Sequence, residues 1–342
     1  MRDSGKWPRI CIGRTWTRTL AALVIVAVSA AMPLTQATVC ATEPVATFSI
    51  VGYDPETGDL GVAVQSKFFA VGSVVPYAAA GVGAIASQAY GNTTFGPLGL
   101  AMLESGMDVE AVMDSLLKHD PDAAQRQVGI VDAGGSSFAY TGDECMDWAG
   151  HETGPNFTAQ GNILVGEETV AAMARAFRET EGVLGERLMR ALEEGQAAGG
   201  DSRGMQSAAI YIARENGGYA GYNDVYCDLR VDDHEEPIAE LRRIFDLWKE
   251  HALINEGYRL CEEGEWERAF SVGRDAVALT PDAGEPYYHL ACYLSKAGMR
   301  EDALKELETA VGFDSSLGPR AKLDPDFEPL YEDPEFLRIT GD

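Results

Sequence analysis

Positive charge is scarce in this chain. Across 342 residues, 27 Lys and Arg stand against 54 Asp and Glu, a formal net charge of −27. Residues 1–41 hold five of the basic side chains (Arg2, Lys6, Arg9, Arg14, Arg18) and one acid, Asp3. Without them, 22 basic side chains face 53 acidic ones, a net charge of −31. Such a surface repels phosphate backbones and anionic lipid, so no nucleic-acid partner is expected. Histidine is rare as well. The five present form no HExxH pattern, and the six cysteines have no zinc-site spacing. Neither a metal nor a cofactor is expected. Long apolar runs are also missing: Leu20–Met32 is too short to span a bilayer, and no other stretch approaches that length.

What is present belongs to an ordinary globular protein. The apolar fraction is 46% and the aromatic fraction 9%, in a chain long enough for two cores. Residues 1–41 read as a secretory signal: basic residues lead, the apolar run follows, and a small-residue stretch ends at Val39-Cys40-Ala41. Val39 in front of Cys40 argues against a lipoprotein. The expected mature chain is exported, periplasmic or extracellular, with no stable membrane insertion. Four cysteines then remain, Cys145, Cys227, Cys261 and Cys292, in a compartment that permits disulfides.

From Ala46 the pattern is short strands in hairpins, broken by pairs of helices. Ala46–Tyr53 alternates and ends in the turn Asp54-Pro55-Glu56-Thr57-Gly58-Asp59, before an apolar strand over Leu60–Ser66. A second hairpin is expected from Val74–Tyr77 and Gly83–Gln88, and a third from Gln127–Asp132 and Ser136–Thr141. Helices are expected over Leu98–Ser105 and Val109–Lys118, the latter capped by Asp108, and over Glu167–Thr180 and Gly185–Glu194. Gln206–Arg214 and Val225–Val231 complete the strands. Hairpins alternating with helix pairs do not make βαβ crossovers. They predict an α+β fold of antiparallel sheets packed face to face with helices outside. Pro237 then opens a long helix through Trp248.

The C-terminal part repeats itself every 34 residues. Gly257 pairs with Ala291, Leu260 with Leu294, Gly264 with Gly298, Ala269 with Ala303 and Ala276 with Ala310. These positions resemble two tetratricopeptide repeats, an all-α unit over 250–317. A Pro-rich tail, 318–342, is expected to cap the stack. The preceding boundaries are 1–41 for the signal, 46–235 for the first domain and 236–249 for a linking helix.

Two motifs carry no chemistry. Gly81-Val82-Gly83-Ala84-Ile85-Ala86 matches the dinucleotide fingerprint, but the residues after it cannot open a helix. Asn92-Thr93-Thr94 and Asn156-Phe157-Thr158 are glycosylation sequons, which matter in a eukaryotic source alone.

The segment TFSIVGYDPETGDLGVAVQSKFFAVGS (47–73) is the informative one. With SQAYGNTTFGPLGLAML (87–103), RQVGIVDAGG (126–135), TGDECMDWAGHETGPNF (141–157), QGNILVG (160–166) and GQAAGGDSRGMQSAA (195–209), it closely resembles the domain-of-unknown-function-1028 family over residues 46–235. That family is assigned to the N-terminal-nucleophile (Ntn) hydrolases. The resemblance implies a four-layer αββα sandwich.

It also implies a mechanism. In Ntn hydrolases the first strand starts with Thr, Ser or Cys freed as the N-terminus, and the α-amine is the general base. Thr47 holds that place, with Ser49 two residues on as the substitute. Many Ntn enzymes end the second strand in an Asp-Ser-Arg-like turn; here Gln65-Ser66-Lys67 stands there. Lys67 could lower the amine's pKa or hold a substrate carboxylate. Thr42–Ala46 separate Thr47 from the expected signal-cleavage site, so the nucleophile needs a second cut. Ser87, Gln88, Asn162, Asp201 and Arg203 sit at strand ends or in Gly-rich loops and are candidate substrate contacts.

The expected function is an exported Ntn-type hydrolase acting on an amide bond of a small peptide or cell-envelope fragment, with the repeats binding a protein partner. The alternative is a non-catalytic scaffold that works through the repeat groove. Cys145 and Cys227 read as a disulfide or as buried thiols. By resemblance to other tetratricopeptide repeats, Cys261 and Cys292 share the concave groove, as a bridge or as two free thiols.

Overall fold

The computed structural model describes residues 47–341. The expected export signal and Thr42–Ala46 lie outside the described residues. The first hairpin joins β1 (Thr47–Tyr53) to β2 (Leu60–Ser66). Its turn closes as the sequence predicts: Asp54 Oδ1 accepts the Glu56 N–H at 3.0 Å, and the Asp54 N–H donates to the Asp59 carbonyl at 2.9 Å.

A small sheet of four antiparallel strands follows in simple order: β3 (Pro76–Ala79), β4 (Gly83–Ala89), β5 (Arg126–Asp132) and β6 (Ser137–Thr141). Because β4 continues from the Gly81 turn as a strand, the dinucleotide fingerprint has no helix to feed. Between β4 and β5 lie α1 (Phe95–Glu104) and α2 (Val109–Lys118). Asp108 caps the second of these, its carboxylate accepting the Ala111 N–H at 2.8 Å.

The larger sheet adds β7 (Trp148–Gly154), β8 (Phe157–Leu164), β9 (Ser207–Ala213) and β10 (Val225–Val231) to the first hairpin. Its six strands run in the order β10-β9-β2-β1-β8-β7, every neighbouring pair antiparallel. Between β8 and β9 lie α3 (Glu168–Glu179) and α4 (Leu184–Ala197).

Period-two alternation gives each strand two interiors to serve. On one face of the large sheet, Phe48, Ile50 and Ile210 pack with Met173, Phe177 and Leu188 of α3 and α4. On the other, Val51, Val62 and Val64 meet Ala84, Ala86 and Val131 of the small sheet. The outer face of the small sheet buries Ile85 and Ile130 against Val112 and Leu116 of α2. This is an antiparallel α/β arrangement with helices on the outer faces.

Pro237–Glu262 forms one unbroken helix, α5, of 26 residues. Ile238, Leu241 and Phe245 pack into the core beside α3 and α4, whereas Leu260 and Cys261 belong to the core of the helical part. The sequence divides 236–249 from 250 onward; the helix runs straight through that point. Three more helices complete two hairpins: α6 (Trp266–Leu279), α7 (Gly284–Lys296) and α8 (Arg300–Phe313). Gly257 belongs where it does because a Cβ there would lie 2.5 Å from the Tyr293 ring. That ring's hydroxyl donates to the Ile254 carbonyl at 2.6 Å, tying α7 to α5.

The tail folds back as α9 (Leu317–Ala321), a 3-10 turn over Pro325–Leu330, and α10 (Pro334–Thr340). Phe327 and Phe336 are fully buried in it. Asp324 accepts the Tyr288 hydroxyl at 2.8 Å, and Asp326 accepts from the Lys296 ammonium at 3.0 Å. Among the described residues, no helix is long and apolar enough to cross a membrane.

Candidate functional site

The space between the sheets is apolar at one end and polar at the other. Along β1, Thr47, Ser49 and Val51 share the inner face. Across the ladder Thr47 lies opposite Ser66 of β2 and Asn162 of β8, Ser49 opposite Gln160, and Val51 opposite Thr158. The small sheet meets them with Gln88 of β4 and its cross-strand partner Gln127 of β5. All of these side chains are fully or almost fully buried.

Buried carboxamides must find partners or lose a few kcal/mol each. Here most of them do. Ser49 Oγ donates to Gln88 Oε1 at 2.6 Å and accepts from Gln160 Nε2 at 2.7 Å. Gln88 Nε2 donates to Gln127 Oε1 at 2.8 Å, which also accepts from Asn162 Nδ2 at 3.0 Å. Gln127 Nε2 donates to the Gly161 carbonyl at 2.8 Å and to Thr141 Oγ1 at 2.9 Å, and Thr141 Oγ1 meets His151 Nδ1 at 2.9 Å. Burial pushes the His151 pKa below its usual value, favouring the neutral ring. Gly129 makes room for this network: a Cβ there would lie 2.3 Å from Gln160 Oε1 and 2.4 Å from Thr158 Oγ1.

Thr47 stands at the mouth of the network. Its Oγ1 donates to Ser66 Oγ at 3.1 Å, and its carbonyl accepts from Gln88 Nε2 at 3.3 Å and Asn162 Nδ2 at 3.5 Å. Next along β2, the Lys67 N–H donates to Asp201 Oδ2 at 3.1 Å, and its ammonium donates to the Met205 carbonyl at 3.0 Å. Asp201 is buried and also accepts from Arg203, through the backbone N–H at 2.9 Å and the guanidinium Nη2 at 3.1 Å. The loop is pinned by the Ser202 N–H to the Ile163 carbonyl at 3.0 Å and the Gln206 N–H to the Ser66 carbonyl at 3.1 Å. The triplet Asp201-Ser202-Arg203 therefore sits against the end of β2, where the sequence offers Gln65-Ser66-Lys67.

A cleft of about 560 Å³ opens beside this end of β2, lined by Lys67 and Gln206 on one side and Asp233 to Glu236 on the other. His234 is fixed in it. Its Nδ1 accepts the Glu236 N–H at 3.0 Å, and its own backbone N–H donates to the Gln206 carbonyl at 2.8 Å.

The structure brings together Thr47, Ser49, Gln88 and Asn162, with Lys67, Asp201 and Arg203 adjoining. Ser87 does not join them. It points to the opposite face of β4, and its Oγ donates to the Asn92 carbonyl at 3.0 Å, closing the loop into α1. Gln127, Gln160 and His234 escape the sequence reading, although β8 signals itself by Thr158, Gln160 and Asn162 at every second position of a buried strand. Both sequon asparagines serve turns. Asn92 Nδ2 donates to Asp120 Oδ2 at 3.0 Å, and Asn156 takes φ +69° in the tight turn between β7 and β8.

The four cysteines among the described residues are free thiols. Cys227, on β10, lies in the core that the large sheet shares with its covering helices, whereas Cys145 donates to the Arg126 carbonyl at 3.5 Å. Both bridge readings give way to the thiol reading. Burial pushes the Cys261 thiol to about 11 and raises Cys145, Cys227 and Cys292 as well, so none is a ready nucleophile. Cys292, Asp324 and Asp326 bring possible metal-ligating atoms within 4.8 Å of one another. Both carboxylates are engaged, by Tyr288 and Lys296, and the group reads as the clamp that holds the tail.

A family model described as a family of unknown function, DUF1028, matches residues 47–241. Among solved structures, the chain is similar to a crystal structure of a DUF1028 protein from Silicibacter pomeroyi. The identity is 31%, the TM-score 0.54, and the match covers 58% of this chain and 88% of that one. A comparison with curated proteins finds no match.

Proposed function

The chain belongs to the DUF1028 family, and on that premise we propose that its first part is an Ntn-type amide hydrolase with Thr47 as nucleophile. The observation that carries the reading is the position of Thr47. Its hydroxyl turns inward between β2 and β8 and donates to Ser66 at the end of β2, where the Asp201–Arg203 loop and a cleft of about 560 Å³ adjoin. The two sheets with helices outside are read as the four-layer αββα sandwich of that superfamily.

The chemistry follows from the groups at hand. Ser66, Gln88 and Asn162 are a hydroxyl and two carboxamides, and take no proton near neutral pH. Once residues up to Ala46 are removed, the Thr47 α-amine supplies the base, with an ordinary pKa of about 7.7–8.0. Thr47 Oγ1 attacks the amide carbonyl carbon as its proton passes to the amine. The C–N bond then breaks, that proton leaves with the departing amine, and water hydrolyses the acyl ester. Asn162 and Gln88 hold the Thr47 carbonyl, and the buried Asp201 holds the start of the Lys67 loop, so the nucleophile's strand end is fixed from both sides. Ser49 is the weaker candidate, because its proton is committed to Gln88.

In this reading the chain is exported and acts on a small peptide or envelope fragment. Helices α5 to α8 form two tetratricopeptide repeats for partner binding, sealed by the tail. Tyr288 and Lys296 on α7 are held by Asp324 and Asp326 of the tail, so in either reading a partner would dock on repeat surface that the tail leaves open.

A β-lactone probe tests the mechanism without a known substrate. Ring opening by Thr47 Oγ1 leaves an ester on the N-terminal peptide, read by mass spectrometry after digestion. An adduct on Thr47 is expected; an adduct confined to Ser49 or Cys145 would sink the assignment.

A further inference from the structure

The large sheet stops at β10. That strand pairs with β9 on one side, and among the described residues no strand lies on its other side. Just past β9, the Arg214 N–H donates to the Asp224 carbonyl at 3.0 Å. Every second residue back along β9 (Ile212, Ile210 and Ala208) therefore turns its backbone towards β10, where it meets Cys227, Leu229 and Val231. The N–H and C=O groups of Asp228 and Arg230, which alternate with these, point outward from the sheet. Such an edge is a template for another strand.

Proteins keep an edge single with proline or with charges that repel a second copy. β10, VYCDLRV, has no proline and carries one exposed charge of each sign, Asp228 and Arg230, two residues apart on one face. Within the chain they hold each other, Arg230 Nε donating to Asp228 Oδ1 at 2.8 Å. Outward backbone groups can pair with outward groups alone, so two antiparallel copies meet about a two-fold axis at Asp228, Leu229 or Arg230. An axis at Asp228 sets Asp against Asp, and one at Arg230 sets Arg against Arg. An axis at Leu229 sets Asp228 of each copy opposite Arg230 of the other. The strand is thus its own charge complement in one register.

The turn before β10 adds to this surface. Tyr219 and Tyr222 are 88% and 86% exposed, a large aromatic area left in water by a single copy. With the axis at Leu229, the turn of each copy lies alongside the chain that follows β10 in the other, and the two rings gain protein to cover.

We propose that the protein is a two-fold dimer in which β10 of each copy pairs antiparallel with β10 of the other about Leu229. The two six-stranded sheets become one continuous sheet. Asp228 and Arg230 fix the register, and the Tyr219–Tyr222 turns close its two ends. The dimer stands apart from the hydrolase reading and does not depend on it.

Sedimentation equilibrium of the mature protein at about 0.15 M salt measures the association. A dimer is expected. Asp228→Arg places like charges opposite each other twice per interface and should weaken it roughly a hundredfold, whereas Asp228→Arg/Arg230→Asp should return it to within about threefold of the parent. Leu229→Cys gives a second readout, should a charge variant fail to fold. On the axis the two Cα atoms of a pair not joined by hydrogen bonds lie about 4.5 Å apart, close enough for a disulfide. Oxidised glutathione should join this variant into a covalent dimer that a reductant separates, and should leave the parent, whose own thiols are buried or half-buried, unlinked. A parent that stays monomeric up to about 0.1 mM, a dimer indifferent to Asp228→Arg, a double variant that stays dissociated, or a Leu229→Cys protein that does not cross-link would each overturn the inference.

Discussion

The hydroxyls of Thr47 and Ser66 meet at 3.1 Å across the first two strands, at the polar end of the space between the sheets. Thr47 donates in that pair, and under the proposed hydrolase mechanism that proton passes to the freed α-amine instead. Labelling of Thr47 by a β-lactone should therefore rise with pH through the α-amine range of about 7.7–8.0, because the neutral amine is the active base. Thr47→Ala should reduce labelling by at least about a thousandfold, and Thr47→Ser should retain it. A rate independent of pH would argue for a different base.

Ser49 is expected to matter for stability. Its hydroxyl joins Gln88 to Gln160, and Ser49→Ala leaves two buried carboxamides short of a partner. The cost should be about 1–3 kcal/mol in urea unfolding. A variant as stable as the parent would show that the network tolerates the loss.

Gly129→Ala should cost more, about 3 kcal/mol or above. The new methyl would press on Gln160 Oε1 and Thr158 Oγ1, both buried and held by strand β8. Thermal unfolding reads this directly; an unchanged Tm would mean that the two sheets can part at this point without penalty.

Acid should weaken the Asp120–Arg126 pair at the start of β5. Burial favours the neutral acid of Asp120, but hydrogen bonds from Arg126 and Asn92 overcome it and hold the carboxyl at about 2. A depressed folded value contributes stability that is complete above the unfolded value near 3.8 and is lost as the pH falls from there towards 2. Arg126→Met should remove about 2 kcal/mol at neutral pH and flatten the acid limb of the stability curve. Urea midpoints between pH 5 and pH 2, about the range over which carboxylates titrate, check both effects.

The thiols should be silent until the chain unfolds. Cys227, Cys261 and Cys292 are buried and their pKa values raised, and Cys145 is half-buried. Native protein should react slowly with an alkylating reagent, Cys145 first, and all four should react in denaturant without prior reduction. Loss of two reactive thiols in denatured protein would reveal a bridge.

Much of the fold is legible in the sequence because local chemistry and the final structure agree. The Asp54–Asp59 turn, the Asp108 cap and the spacing of Gly257, Gly264 and their repeats mark elements whose neighbours lie close in the chain. The β7–β8 hairpin is hidden for the opposite reason. Thr158, Gln160 and Asn162 put polar groups where a buried strand is expected to be apolar, and their partners Ser49, Gln88 and Gln127 come from distant segments. The site is half legible on the same grounds. Thr47 is named through the family resemblance, which puts the nucleophile at the start of the first strand. Asp201 reaches it across 134 residues, by accepting the Lys67 N–H, and nothing local announces that contact. Ser87 misleads because one step along a strand reverses the face.

The proposed hydrolase needs Thr47 as its N-terminus. Intact-mass measurement of the mature protein, with sequencing of its first peptide, decides this. A mature chain that begins at Thr47 is expected; a chain that begins at Thr42, with Ala46 still joined to Thr47, would rule the mechanism out.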